Sequence, residues 1–324
     1  MRRRAIILTD GGFCSQIAFC VLAKYLQDKG YSVKYDLSWF KNCGMDLNGI
    51  FKRSYVMDKA FPDIKFEIAS DDEIKKLKKH HIHIDGFRYL EKLLPEMYIS
   101  GYPEERTQLI GKYKDYFINN FNPVDKNEVE DIVNEVQNSN SCAVHVRRGD
   151  LSTYAQGYGS PCDREYFLRS MDIISSFSEN PIFYFFSEEP DWIRENILPY
   201  TKHNCKLIDK NNSSKGYLDL YIMSKCKSVI ASQGSFGNFA KVLSKNEEMI
   251  LITPYYRDYI SNNFNNVIVY NNKHENEVNT VVELLQKKSD KYKKRYGIAL
   301  VLSIVFAVVS VVFAIMLAGV LWNL

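Results

Sequence analysis

The chain is 324 residues long, enough for two domains and an appendage. Its 46% hydrophobic and 25% charged residues are the composition of a globular protein and exclude disorder as the main theme. Lys+Arg 42 against Asp+Glu 39 leaves a net charge of +3, too balanced for a chain built to coat nucleic acid, so no nucleic-acid partner is expected.

The first element is the apolar run 4–9 (RAIILT), which stops at Asp10-Gly11-Gly12. It is too short for a secretory h-region and has no cleavage site, so it reads as a buried strand. From Ser15 to Lys29 the apolar residues Ile17, Phe19, Val21, Leu22, Tyr25 and Leu26 fall at helical spacing, Gly30 ends the pattern, and residues 31–36 read as the next strand. Strand, glycine turn, helix, glycine, strand is a βαβ unit and implies a parallel sheet. Residues 40–100 carry fewer signals: a helical charge pattern over 71–79 and a strand at His81–Ile84. The histidines at 80, 81 and 83 follow a lysine run and alternate with isoleucine, as a half-exposed strand would, and no metal site is expected.

A second β/α series starts near residue 126. Helices are expected at 127–137, 165–177, 192–197, 217–225, 236–243 and 275–288, and strands at 141–146, 181–187, 206–208, 227–231 and 249–252. The fold class is therefore α/β, with doubly wound domains at 1–125 and 126–290 and a cleft between them. The seven cysteines are scattered and form no C-x-x-C pair, which argues against a disulfide scaffold or a zinc ribbon and suits a reducing compartment. Residues 298–322 hold no charge, amide or histidine and can cross a hydrocarbon core of about 30 Å as a helix. Lys287, Lys288, Lys291, Lys293, Lys294 and Arg295 precede that run, so the positive-inside rule makes it a single-pass C-terminal membrane anchor with the rest of the chain in the cytoplasm.

Three loops can carry chemistry. His145-Val146-Arg147-Arg148-Gly149-Asp150 ends a strand and brings two guanidinium forks to the carboxyl edge of a parallel sheet, where ligands bind. Arginine grips a diphosphate through paired, charge-assisted hydrogen bonds and keeps its proton, although a surface arginine pair with Asp150 as counter-ion has the same sequence. Ser232-Gln233-Gly234-Ser235-Phe236 lies between a strand and a helix, where backbone N–H groups can meet an anion or simply cap the helix. Asp10-Gly11-Gly12 after the first strand has the same logic and matches neither the dinucleotide nor the P-loop pattern. No D-x-D pair occurs, so the usual signature of a metal–diphosphate site is missing.

Six ordered blocks resemble the bacterial α-1,2-fucosyltransferases of glycosyltransferase family 11. They are residues 11–16 (GGFCSQ), 100–105 (SGYPEE), 145–150 (HVRRGD), 186–192 (FSEEPDW), 219–227 (DLYIMSKCK) and 230–236 (IASQGSF). The resemblance implies a GT-B fold of two facing Rossmann-like domains, GDP-fucose as donor, inversion at the anomeric carbon and no metal or other cofactor. Carried over, it implies that Arg147 clamps the β-phosphate with His145 and Arg148 nearby. Ser232, Gly234, Ser235 and Phe236 then line the diphosphate, Ser224 lines the nucleotide pocket, and Gly11 and Gly12 border the cleft. An inverting transfer calls for a carboxylate base, for which Asp10, Asp150 and Glu188 are candidates. The expected acceptor is O2 of a galactose in a bacterial surface-glycan precursor, with a lipid-linked oligosaccharide suiting an anchored enzyme. Transfer of another GDP-sugar, and a non-catalytic membrane-tethered nucleotide- or glycan-binding protein, are the alternatives.

Overall fold

The computed structural model describes residues 3–270 apart from 46–48, 50–51, 85–87, 150, 152–159, 210–212 and 256. Two parallel sheets organise it. β1 (Arg3–Leu8), β2 (Tyr31–Asp36), β3 (His81–Ile84) and β4 (Glu96–Gly101) form the first, in the order β2-β1-β4-β3. β5 (Ser141–Val146), β6 (Ile182–Ser187), β7 (Asn204–Ile208), β8 (Ser228–Ile230), β9 (Ile250–Thr253) and β10 (Val267–Val269) form the second, in the order β10-β9-β8-β5-β6-β7. Every pairing is parallel, so each strand returns through a crossover and the loops gather at the two ends of each sheet.

The register decides which loops meet. Ile7 of β1 lies opposite both Tyr35 and Ile99, so the turns after β1 and β4 leave the first sheet side by side. In the second sheet Val144 of β5 faces Ile230 of β8, and the strand order runs outward in opposite directions from this pair. That reversal opens a crevice at the carboxyl ends, the usual ligand position in open α/β sheets. Both sheets belong to one compact unit, Met1–Asn272. One apolar cluster draws on both sheets: Phe13, at the start of α1 (Phe13–Asp28), packs tilted against Phe61 and Phe121 and meets Tyr217 edge-on from the second half.

Strands β2 and β5 begin and end where the sequence places them. β4, β10 and the helix Ile110–Asn120 are additions to the sequence reading. The helix expected over 71–79 ends earlier: Ser70 caps it reciprocally with Glu73, and after Leu77 the chain tightens into the 3-10 turn Lys78–His80. Asp150, the helix expected at 275–288 and the apolar run 298–322 lie outside the described residues. Among the described residues no helix is long and apolar enough to cross a membrane.

Gly101 shows how a backbone constraint aims a functional loop. Its φ is +80°, and a Cβ there would sit 2.0 Å from the carbonyl oxygen of Ile84. That same oxygen accepts the N–H of Tyr102 at 3.0 Å, so β3 pins the chain as it leaves β4. Gly30 has a similar φ of +84° but open space around it. Gly101→Ala is therefore expected to cost about 3 kcal/mol or more, against about 1–2 kcal/mol for Gly30→Ala, read from urea midpoints.

Candidate active site

The crevice between β5 and β8 is built around Arg147. Its backbone N–H donates to Ser232 Oγ at 2.9 Å, and that oxygen lies 3.1 Å from His145 Nδ1. The hydroxyl thus ties the amide and the imidazole together, its direction toward Nδ1 following the tautomer of the ring. Burial, and then the Arg147 cation, push His145 down to about 3, so the ring is neutral. Phe236 covers it, with ring centroids 5.0 Å apart.

The guanidinium lies directly over Gly234: a Cβ at that position would be 2.3 Å from Arg147 Nη1. Gly234 has φ +92° and Ser235 a right-handed conformation, the alternation that turns successive N–H groups into an anion-binding nest. The buried Asn238 amide donates to the Gly234 carbonyl at 3.0 Å, so the Ser235 N–H, on the same peptide plane, points the opposite way. Gln233, also buried, accepts the N–H of Cys162 at 3.0 Å and donates to the Ser160 carbonyl, tying down the loop beside the nest. The arrangement offers a fixed cation and outward N–H groups to one small, multiply charged anion.

The first sheet reaches this cluster through the first turn of α1. Cys14 lies beside Ser235 and in the field of Arg147; burial keeps its thiol protonated, pushed up to about 12, so it packs rather than reacts. Gln16 braces the turn: its side chain donates to the carbonyls of Gly11 at 3.2 Å and Ser54 at 2.9 Å, and accepts from Val56 N–H at 3.0 Å. Gly11, with φ +76°, lets the chain double back onto Ser15. Asp10 stands at the head of this turn. Tyr102 Oη donates to its Oδ1 at 3.0 Å, and Arg106 lies close enough to act on its charge. Desolvation outweighs both and raises the Asp10 carboxyl above the ordinary range, as a general base requires.

Arg147, His145, Ser232, Gly234, Ser235 and Phe236 are thus one constellation, and Asp10, Gly11 and Gly12 lead into the helix whose first turn carries Cys14. Two expected donor residues point elsewhere. Arg148 lays its guanidinium 4.1 Å from the Trp192 ring, with Nε 3.5 Å from Glu189, at an open pocket of about 470 Å³ shared with Arg164 and Asp163. Ser224 is buried and returns its hydroxyl to the Tyr221 carbonyl at 2.7 Å, at the end of helix Gly216–Met223. Glu188 lies 4.0 Å from Arg53. Among the described residues no group of three or more His, Cys, Asp or Glu side chains could hold a metal ion. Sequence reasoning missed Cys14, Tyr102, Arg106 and Gln233 as site residues. Tyr102 lies within a recognised block, but its contact to Asp10 spans 92 positions and leaves no local signal.

The sequence signature of glycosyl transferase family 11 matches residues 75–271. An α-1,2-colitosyltransferase from Escherichia coli is 24% identical over 248 residues, 70% of this chain and 82% of that protein. Galactoside α-(1,2)-fucosyltransferase 1 from Aotus azarae is 30% identical over 110 residues, 33% of this chain and 30% of its own length. The crystal structure of the fucosyltransferase NodZ from Bradyrhizobium superposes with a TM-score of 0.43 at 12% identity, over 75% of this chain and 94% of that one.

The contact between Arg147 and Gly234 yields a direct test. Gly234→Ala would drive a methyl group into the guanidinium and is expected to weaken pyrophosphate binding at least about tenfold, measured by calorimetry, while the protein stays folded.

Proposed function

The chain belongs to glycosyl transferase family 11 and is a glycosyltransferase; from that premise we propose that it moves L-fucose from GDP-fucose to O2 of a galactose, with inversion, on a bacterial surface-glycan precursor. The observation that carries this reading is the guanidinium of Arg147 held over Gly234 beside the outward N–H of Ser235. A nucleoside diphosphate fits this grip, because its two phosphates present several anionic oxygens to one fork and one nest. The α-1,2 linkage and fucose appear in the names of the relatives, which supports carrying them over.

In this mechanism the acceptor hydroxyl gives its proton to the Asp10 carboxylate as its oxygen bonds to the anomeric carbon. The bond from that carbon to the β-phosphate oxygen breaks, and its electron pair leaves with GDP. Arg147 and the N–H of Ser235 meet the charge that accumulates on the departing oxygen. A preorganised donor of this kind is worth roughly 10²–10³ in rate. Supplying positive charge from arginine lets the reaction proceed without a divalent metal. We assign the second sheet to the donor and the first to the acceptor in a GT-B arrangement. Residues 298–322 then serve as an anchor that keeps the enzyme at the cytoplasmic face of a membrane, near a lipid-linked acceptor.

A second reading is favoured by the relative that spans most of the chain: the transferred sugar is colitose. Turnover with GDP-fucose against GDP-colitose on galactosides decides between them, and GDP binding without turnover on any acceptor would leave a binding protein.

Transfer from GDP-fucose by the wild type is expected to persist in excess EDTA and to fall at least about a hundredfold in Arg147→Ala, with circular dichroism unchanged. The rate should decline as pH falls through the raised Asp10 pKa, because only the ionised carboxylate accepts the proton. Asp10→Asn should abolish that acid limb along with most of the rate, and an unaltered limb assigns the base elsewhere.

A further inference from the structure

We propose that the exposed face of the Tyr102 ring is the platform on which the acceptor sugar sits, with Asp10 at its edge. This deepens the transferase reading and rests on it.

Tyr102 is unusual in being both held and exposed. Its backbone is fixed by the Gly101 turn and the N–H bond to Ile84, and its hydroxyl by Asp10. The Arg106 guanidinium lies 4.2 Å from its ring centroid and 5.0 Å from that of Phe19, which stacks on Tyr102 at 6.0 Å and 29°. Arg106 is itself oriented by donating to Ser15 Oγ at 3.1 Å. Yet 45% of the tyrosine remains accessible. Burying an aromatic face is favourable, and a ring immobilised at its edge, back and backbone has already lost the freedom that a ligand would otherwise have to remove.

Galactopyranosides present one apolar face of C–H bonds, which complements an aromatic ring, and a rim of hydroxyls. A sugar seated on this ring brings that rim to the end where the phenol meets Asp10. Tyr102 takes Oδ1 of the carboxylate, and an acceptor hydroxyl would give its proton to Oδ2. The neighbouring turn of α1 connects the platform to the diphosphate grip: Ser15 touches Arg106, and Cys14, the residue before it, touches Ser235. Arg106 is then a positioning residue that holds the ring flat and biases the Asp10 charge.

The test uses the full-length chain loaded with GDP and methyl β-D-galactopyranoside as the probe, followed by saturation-transfer NMR. The wild type is expected to bind the galactoside, with the strongest transfer to the C–H protons of one face. Tyr102→Ala is expected to weaken binding at least about tenfold, and Tyr102→Phe and Tyr102→Trp, which keep the ring, to hold it within about threefold. No galactoside binding by the wild type, or unchanged binding by Tyr102→Ala, would overturn the platform. GDP affinity, measured on the same samples by calorimetry, reads the donor site separately. Its absence in the wild type counts against the transferase reading, and its retention in Tyr102→Ala locates the defect on the acceptor side.

Discussion

The guanidinium of Arg147 occupies the space that any side chain on Gly234 would need. Much of the second sheet's loop architecture follows from accommodating that one cation. Gly234 takes a positive φ beneath it, Ser232 accepts the Arg147 amide, and His145, neutral chiefly through burial, lies beside the charge. Together they give a polar cluster on the crevice side of a sheet whose strands are otherwise apolar. A guanidinium beside a nest of backbone N–H groups is the physical basis for reading the crevice as a diphosphate site.

The first turn of α1 does for the molecule what neither sheet does alone. Within consecutive positions it sets a thiol beside Ser235, gives a hydroxyl to Arg106 and supplies an amide that binds the 54–56 segment. Phe13 at its start meets the aromatic ring of Tyr217 from the second half. Packing and chemistry are therefore carried by the same four residues, and a change there affects both. Cys14 and Ser15, adjacent on the helix, thereby link the surroundings of Arg147 to those of Arg106.

Much of this was legible in the sequence, and the limits have physical causes. β2 and β5 were bounded correctly because Gly30 marks where one starts and the arginine pair where the other stops. β4 escaped because tyrosine and serine interrupt its apolar residues, although they are buried too, and β10 because three residues between Asn266 and Tyr270 give no period to detect. The motif drew attention to the residues around Arg147, but Arg148 was grouped with them. Successive residues leaving an extended strand face opposite sides, and the second guanidinium finds an indole ring and Glu189 there. Ser224 belongs to a recognised block, yet its hydroxyl satisfies a helix-end carbonyl, a use that sequence cannot separate from ligand binding. The partners of Asp10 were invisible because register, which sequence does not spell out, brings β4 beside β1.

The central claim is that Arg147 grips the second phosphate of a nucleotide. Calorimetric titration of the full-length chain with GDP and with GMP measures that grip as a ratio of affinities. The wild type is expected to prefer GDP by a hundredfold or so, and Arg147→Ala to bind the two nearly alike, because only the diphosphate reaches the guanidinium. Equal preference in the wild type and Arg147→Ala would contradict the assignment and leave the arginine a packing residue of the crevice.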